Sequence, residues 1–501
     1  MKRPNILVIC SDEHHPTLSG YRGHPYIQTP NLDRLAAQGT HFSRAYCTSP
    51  VCTPSRMSFI TGKYVHQIDN WMIGVPLDPA EMTWARRLHQ AGIPSTMLGK
   101  MDFCGPYQDG GFTDHRIIER RPAWTPYPRN TPWAARLKGY VRPDKRQHLL
   151  NAGIRADQVT DGTDGHNDRK GFYDHDRIIT SWALEYLRQQ GQQGSGGPWA
   201  LYVGLIFPHW PFCIPRRYFD LYYPDNLALP HDAHFPNEHL HPAVRHFQEA
   251  LGLGDVTEEM LRRTIAAYYG MVTAMDEMIG QILRELEAQG LDTHTYVIYT
   301  SDHGESLGEH GLFYKQCSYE ASVGVPLIVR GPGVPAGRRL DQPVSLIDLY
   351  PTILDMAHLE TEADRPGKSW LPLVQGERQE RPDYAFSEFH GNFFRHDWYM
   401  LVRGEHKYTH YVGERPSLFN VKRDPLENHD LGADPRHQRL VLEFERLLRS
   451  IVDPEAVALR AKRDLGLIGP DGTDYTETLT VAELTRGRAR GVYPPECGGI
   501  V

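Results

Sequence analysis

The sequence predicts an α/β fold: a large, mainly parallel mixed sheet flanked by helices, with a smaller C-terminal α+β subdomain. Three observations carry this. Short apolar runs end abruptly in polar or charged residues, helical patterns lie between those runs, and the texture of the chain changes after about residue 375. Strands alternating with helices give a sheet whose strands are mostly parallel, with helices on both faces.

Residues 5–10 run into Ser11-Asp12, 94–98 into Gly99-Lys100, 199–207 into Pro208-His209, and 295–300 into Ser301-Asp302-His303. Each run is aliphatic or β-branched and suits a strand buried on both faces. Residues 31–38 read as a short helix stopped by Gly39. In 264–289, Ile265, Tyr268, Met271, Val272, Met275, Ile279, Ile282, Leu283 and Leu286 recur at helical spacing, and Gly290 follows as a stop. Ligands of open parallel sheets bind beyond the carboxyl ends of the strands. Asp12, Lys100, His209, Asp302 and His303 are therefore expected along one edge of the sheet.

Residues 109–171 are rich in Pro, Arg, Asp and Gly and show little periodicity. They read as a long insertion, a lid or an oligomer contact, within a catalytic domain spanning 1–375. Residues 189–198 read as an exposed loop. In the C-terminal subdomain and tail, 376–501, residues 398–402, 407–411 and 417–421 read as strands and 435–452 as an amphipathic helix. The tail from Asp453 shows no strong pattern.

Composition narrows the classes. The 501 residues carry a net charge of -8, which gives nucleic acid no electrostatic footprint. No stretch of about 18 apolar residues suggests a membrane span. The apolar run near the N-terminus is too short for a signal-peptide core, so a cytoplasmic location is expected. Seven cysteines, an odd number with no CxxC pair, argue against a disulfide framework or a zinc–cysteine site.

The chemistry concentrates in Cys52-Thr53-Pro54-Ser55-Arg56 and the Thr61-Gly62-Lys63 beyond it. Thr53 can cap a helix and Pro54 suits its first turn. Cys52 then sits at a helix N-terminus, where free N–H groups and the dipole favour an anion, with Arg56 one turn on. A thiol so placed is expected to be acidic and reactive.

This stretch resembles the sulfatase signature, Cys-x-Pro-Ser-Arg with a Thr-Gly-basic ending. The likeness extends along the chain. Residues 5–12 with Thr29-Pro30-Asn31-Leu32-Asp33-Arg34-Leu35, Ser301-Asp302-His303-Gly304 with Leu307-Gly308-Glu309-His310-Gly311 and Lys315, and Ser417-Leu418-Phe419-Asn420 with Asp424-Pro425-Leu426-Glu427 all look like blocks of that family. Gly99-Lys100-Met101-Asp102-Phe103 and Pro208-His209-Trp210-Pro211 are similar to segments of choline-sulfatase-like and phosphonate monoester hydrolase-like members. The resemblance implies the alkaline phosphatase superfamily fold and hydrolysis of aryl or alkyl sulfate monoesters. The same apparatus acting on phosphonate monoesters or phosphodiesters is the alternative.

The resemblance also implies roles. Cys52 is oxidised by a formylglycine-generating enzyme to formylglycine, whose hydrated aldehyde is the nucleophile. Asp12, Glu13, Cys52, Asp302 and His303 become metal ligands for one divalent cation, Ca²⁺ or Mn²⁺, the imidazole adding weight to Mn²⁺. Lys100 and Lys315 neutralise the sulfuryl oxygens, Arg56 adds fixed charge, and His209 protonates the leaving alcohol. Asp102 departs from the pattern, since most sulfatases have His there. Either Asp102 is the base, or another histidine such as His15 or His66 substitutes. Asn70 either contacts substrate or is a turn residue. Aromatic residues of 122–146 (Trp124, Tyr127, Trp133, Tyr140) line a pocket or a subunit interface. A homo-oligomer, dimer or tetramer, is expected on the resemblance.

Overall fold

The computed structural model describes residues 3–117 except 106, 172–230 except 195, 240–391 except 252, 254 and 255, 396–465, and 467, 468, 472 and 474. The aromatic segment 122–146 and most of the expected insertion lie outside the described residues.

Nine strands form the main sheet: β1 (Asn5–Ser11), β2 (Thr40–Tyr46), β3 (Ser95–Gly99), β4 (Asp114–Arg116), β5 (Ala200–Gly204), β6 (Thr295–Ser301), β7 (Gly324–Arg330), β8 (Arg338–Leu340) and β9 (Val344–Ser345). Their order is β4-β3-β5-β1-β6-β7-β2-β8, with β9 also on β2. Only β7 runs against the rest, pairing antiparallel with both β6 and β2. The sheet is mainly parallel, as expected. Strands β1, β3, β5 and β6 are buried along their whole length, which is why their sequences are continuously apolar rather than alternating.

The strand register aligns the carboxyl ends. Ser11 pairs with Ser301, Cys10 with Gly204, and Gly204 with Gly99. Four neighbouring strands therefore end in one row. The ends of β3 and β5 touch so closely that a Cβ on Gly204 would lie 1.9 Å from the Lys100 carbonyl oxygen. Glycine is required there for the backbone approach itself. The strand in 199–207 stops at Gly204, and Leu205 onward turns out of the sheet toward His209.

Helices cover the sheet: α1 (Pro30–Gln38), α2 (Cys52–Thr61), α3 (Trp84–Gln90), α4 (Phe172–Gln192), α5 (Pro242–Leu251) and α6 (Glu258–Ala288). Helix α6 begins two turns before the apolar periodicity does, because the Thr257 hydroxyl accepts from the Met260 N–H and starts it there. Helix α4 runs through 189–192, the start of the expected loop, on the helix-forming strength of Arg188, Gln189 and Gln190. Asp276, buried inside α6, accepts from the backbone N–H groups of Asn31 and Leu32 and so caps α1. No helix among the described residues is long and apolar enough to cross a membrane.

The second sheet is antiparallel, β10 (Tyr384–Phe389), β11 (Trp398–Arg403), β12 (His406–Tyr411) and β13 (Ser417–Asn420). Helices Gln438–Ile451 and Pro454–Asp464 accompany it. The latter occupies the stretch with no visible pattern. Its inward residues Val457, Ala458 and Ala461 are small and give little periodicity, while the Asp453 side chain caps it through the Ala456 N–H.

A buried chain of polar groups ties this sheet to the segment after α2. His66 Nδ1 meets Glu388 at 3.0 Å, Glu388 meets His390 Nε2 at 3.0 Å, and His390 Nδ1 meets Asp397 at 3.0 Å. Burial works against the charged imidazole, yet the bonds to Asp397 and Glu388 raise the His390 pKa to about 9. A raised folded-state pKa contributes stability that is complete below the ordinary histidine value and is lost as pH climbs through about 9. The His390→Gln variant is expected to show a flatter fall in urea midpoint between about pH 6.5 and 9 than the parent, with no such difference between about pH 5 and 6.

Candidate active site

The sheet edge brings the expected residues together. Asp12 and Glu13 follow β1, Lys100 and Asp102 follow β3, His209 follows the end of β5, and Asp302 and His303 follow β6. Helix α2 brings Cys52 and Arg56 over this row, and the 305–316 loop adds Lys315. Asp12, Cys52, Arg56, Asp302 and His303 are all essentially without solvent exposure.

Arg56 is the hub. Its Nε donates to Asp302 Oδ2 at 2.8 Å and Nη2 to Asp12 Oδ2 at 3.0 Å. Its Nη1 donates to the Lys100 carbonyl at 2.7 Å and to the Tyr202 hydroxyl at 2.9 Å. A planar guanidinium with five donors can hold two carboxylates and two strand ends at once, which an ammonium cannot. Lys100 Nζ lies 2.5 Å from Asp12 Oδ2. Burial opposes ionisation of Asp12, but Lys100, with Arg56 and Lys315 behind it, holds the carboxyl well below the usual range.

Cys52 is the first residue of α2, with extended Val51 as its N-cap. The expected Thr53 cap is therefore corrected: Thr53 is already helical, and its hydroxyl donates to Asp102 Oδ2 at 3.4 Å. The thiol sits 3.3 Å from His303 Nε2, 3.7 Å from Asp12 Oδ1 and 3.4 Å from Lys315 Nζ. It is not acidic, contrary to expectation. Burial, with Asp12 adding to it, pushes its pKa up to about 12 despite the two lysines. The desolvation and the neighbouring carboxylates outweigh the helix dipole.

Two carboxylates and an imidazole suit a divalent cation such as Mn²⁺, and the Cys52 thiol is the one soft donor among them. Ligand atoms of Asp12, Cys52, Asp302 and His303 all lie within 4.8 Å of one another. His303 Nδ1 donates to the Gly304 carbonyl at 2.9 Å, which leaves the Nε2 lone pair facing the cluster. Glu13 places Oε2 3.0 Å from Lys315 Nζ and 3.3 Å from His209 Nε2, and its buried carboxyl also meets that of Glu305, with no nitrogen donor on Oε1. A carboxylate oxygen without such a donor in the interior is costly unless a cation or proton meets it. Burial pushes the Glu13 carboxyl up to about 8, against the pull of Lys315. Burial and then Lys315 hold the His209 imidazole neutral; its Nδ1 donates to the Trp210 carbonyl.

Backbone strain gathers here. Glu13 (φ 67°), Asp102 (φ 64°), Tyr314 (φ 69°) and Gln316 (φ 83°) occupy the left-handed region without being glycine. Each costs about 1–3 kcal/mol and persists only because its surroundings over-determine it. Tyr314 and Gln316 bracket Lys315, and the Tyr314 ring packs edge-on to Trp210 at 5.6 Å, joining the Lys315 loop to the His209 loop.

Three sequence candidates lie apart from the cluster. His15 pairs with Glu309 and His66 with Glu388, so neither contacts Cys52 in the described structure. Asn70 closes its own turn by donating to the Val75 carbonyl at 2.8 Å, with its Oδ1 buried and unpartnered. Sequence reasoning missed Tyr202, which supports Arg56, and Tyr268, which bonds the backbone at Glu13. It also missed His175, which lines one cavity with Lys100 and Asp102 and is held by Asp176 at 2.9 Å. Only the helical period of Tyr268 was visible beforehand, and that signal reads as core.

A mainly parallel sheet whose strand ends carry a buried charged cluster around a helix-terminal cysteine fits a hydrolase of anionic esters, and the comparisons make it one acting on sulfuric esters. The Sulfatase family profile matches residues 4–359, and that of the N-sulphoglucosamine sulphohydrolase C-terminal region matches 308–453. The chain belongs to the sulfatase family. It is 30% identical to Arylsulfatase K of Danio rerio over 92% of this chain and 86% of that protein. It is also 30% identical to Choline-sulfatase of Rhizobium meliloti, over 87% and 83%. The phosphonate monoester hydrolase of Agrobacterium radiobacter shares the fold with a TM-score of 0.70 at 24% identity, covering 89% of this chain and 95% of that one.

Proposed function

We propose that this sulfatase cleaves sulfate monoesters with residue 52 as nucleophile, after a formylglycine-generating enzyme has oxidised Cys52 to formylglycine. The observation that carries the reading is the position of the Cys52 side chain, within 3.7 Å of Asp12, His303 and Lys315 at once. An aldehyde hydrate there would supply a hydroxyl for attack and a second for sulfate release, which the thiol, held protonated by burial, does not.

Asp12, Glu13, Asp302 and His303 would hold a divalent cation, Mn²⁺ or Ca²⁺, beside residue 52. Bound there, the cation would polarise the sulfuryl oxygens and favour ionisation of the attacking hydroxyl. Lys100, paired with Asp12, and Lys315, beside Cys52 and Glu13, offset charge on the sulfuryl group as it moves. Arg56 pairs with Asp12 and Asp302 and fixes both carboxylates beside that position. His209 faces the leaving-group side, where an anionic ester would draw a proton back onto the ring for delivery to the departing alcohol.

Asp102 is the base in this reading, because His15 and His66 are engaged elsewhere. The Asp102→Ala variant is expected to lose about 10²-fold or more in kcat. A pre-steady-state burst of released alcohol should then exceed that of the parent, because bond cleavage is spared and the later step slowed. Unchanged kcat without a burst would move the base to another residue.

The sulfate-over-phosphonate preference is tested with two aryl esters. Matured, metal-loaded enzyme should show a higher kcat/KM for 4-nitrophenyl sulfate than for a 4-nitrophenyl phosphonate monoester. The reverse order would favour the second reading, phosphonate monoester or phosphodiester hydrolysis, which is supported by the absence of the usual histidine at position 102 and by the fold shared with the Agrobacterium enzyme.

A further inference from the structure

We propose that Tyr268 is a positioning residue of the metal site: its hydroxyl locks the backbone turn that holds the Glu13 carboxylate beside Asp12 and His209, at the edge of the cluster. The inference rests on the proposed metal site and adds to it a residue from the middle of α6 that touches none of the cluster's ligand atoms.

Glu13 leaves β1 two residues after the last strand position and takes a left-handed φ of 67°. Nothing intrinsic to glutamate favours that conformation. Two contacts hold the turn from the sheet side: the Glu13 N–H donates to Asp302 Oδ1 at 3.2 Å and the His14 N–H to Ser301 Oγ at 2.9 Å. From the helix side there is one group. The Tyr268 hydroxyl donates to the Glu13 carbonyl at 2.6 Å and accepts from the His15 N–H at 2.8 Å. One oxygen thus spans the peptide groups on the C-terminal side of Glu13, and the ring that carries it is fully buried against Phe212.

The side chain of Glu13 shows what the turn is for. Its Oε2 accepts from Lys315 and lies 3.3 Å from His209 Nε2, and the same buried carboxyl also meets that of Glu305. Relaxation of φ toward ordinary values would swing this carboxylate away from Asp12 and His209. The hydroxyl of Tyr268 is therefore expected to set cation affinity through Glu13, as groups outside the ligand shell commonly do, with changes of about 10- to 100-fold on removal.

The test uses the full-length protein stripped with chelator and titrated with Mn²⁺ alone, free ion being read by electron paramagnetic resonance. Tyr268→Phe should weaken the Kd for Mn²⁺ by about ten-fold or more. The neighbouring Tyr269→Phe removes the hydroxyl of another core tyrosine, one that bonds His24 Nε2 at 3.0 Å, and should keep the parent Kd. In a Glu13→Ala background, adding Tyr268→Phe should cost no further affinity, because the group it acts through is gone. A parent-like Kd in Tyr268→Phe, equal losses in both tyrosine variants, or full additivity with Glu13→Ala would each overturn the assignment. A parent protein that binds no Mn²⁺ would instead overturn the metal reading beneath it.

Discussion

Replacing Cys52 by alanine is expected to lower turnover of 4-nitrophenyl sulfate by about four orders of magnitude or more while leaving the fold intact. The size of the loss comes from the role: without the residue-52 side chain there is no atom to attack, and the lysines, Arg56 and His209 can only bind the ester. The fold is spared because the thiol is small, buried and held by three long contacts, none of which supports a strand or helix. Circular dichroism and the urea midpoint should match the parent closely. Peptide mass gives a second, independent readout in the parent protein. Conversion of the thiol to the aldehyde exchanges H₂S for oxygen and lowers the mass of the residue-52 peptide by about 18 Da. Co-expression with a maturation enzyme should produce that peptide and raise activity in proportion to its fraction. Activity equal to the parent in Cys52→Ala, or full activity with an unmodified thiol, would remove residue 52 from the chemistry.

Much of this site was legible beforehand, for a physical reason. Strands buried on both faces must be apolar throughout, so the first polar residues after each run mark the strand ends, and Asp12, Lys100 and Asp302 stand there. Parallel pairing with Ser11 opposite Ser301 then gathers them without further information from the chain. Helix α2 was legible through Pro54 and the cysteine–arginine spacing, though its start was misplaced because Thr53 resembles a cap. The acidity of the thiol was misjudged, since burial and the adjacent carboxylates are tertiary facts. The reversed strand β7 was not visible, because an apolar run carries no direction. Tyr202, Tyr268 and His175 were not visible either. Each lies on a strand or helix whose pattern is explained by packing, and what distinguishes it is one polar atom reaching the site from a distant part of the chain.

Arg56→Met should be the most destabilising single change in the site. The guanidinium is wholly buried and compensates two wholly buried carboxylates, Asp12 and Asp302, while bonding the Lys100 carbonyl and the Tyr202 hydroxyl. Methionine replaces the stem but none of the donors. Lys100 still faces Asp12, whereas among the described residues Asp302 keeps the backbone N–H groups of Glu13 and His303 and the more distant His303 ring. Stranding a charge in the interior costs about 3–5 kcal/mol, so the urea midpoint measured in chelator should fall by that equivalent. The direction of rescue then separates this account from simple loss of packing. A divalent cation neutralises the same two carboxylates, so added Mn²⁺ should raise the midpoint of Arg56→Met by more than it raises that of the parent. A cavity would respond to metal no differently from the parent. An Arg56→Met protein as stable as the parent in chelator would show that the arginine does not compensate the two carboxylates.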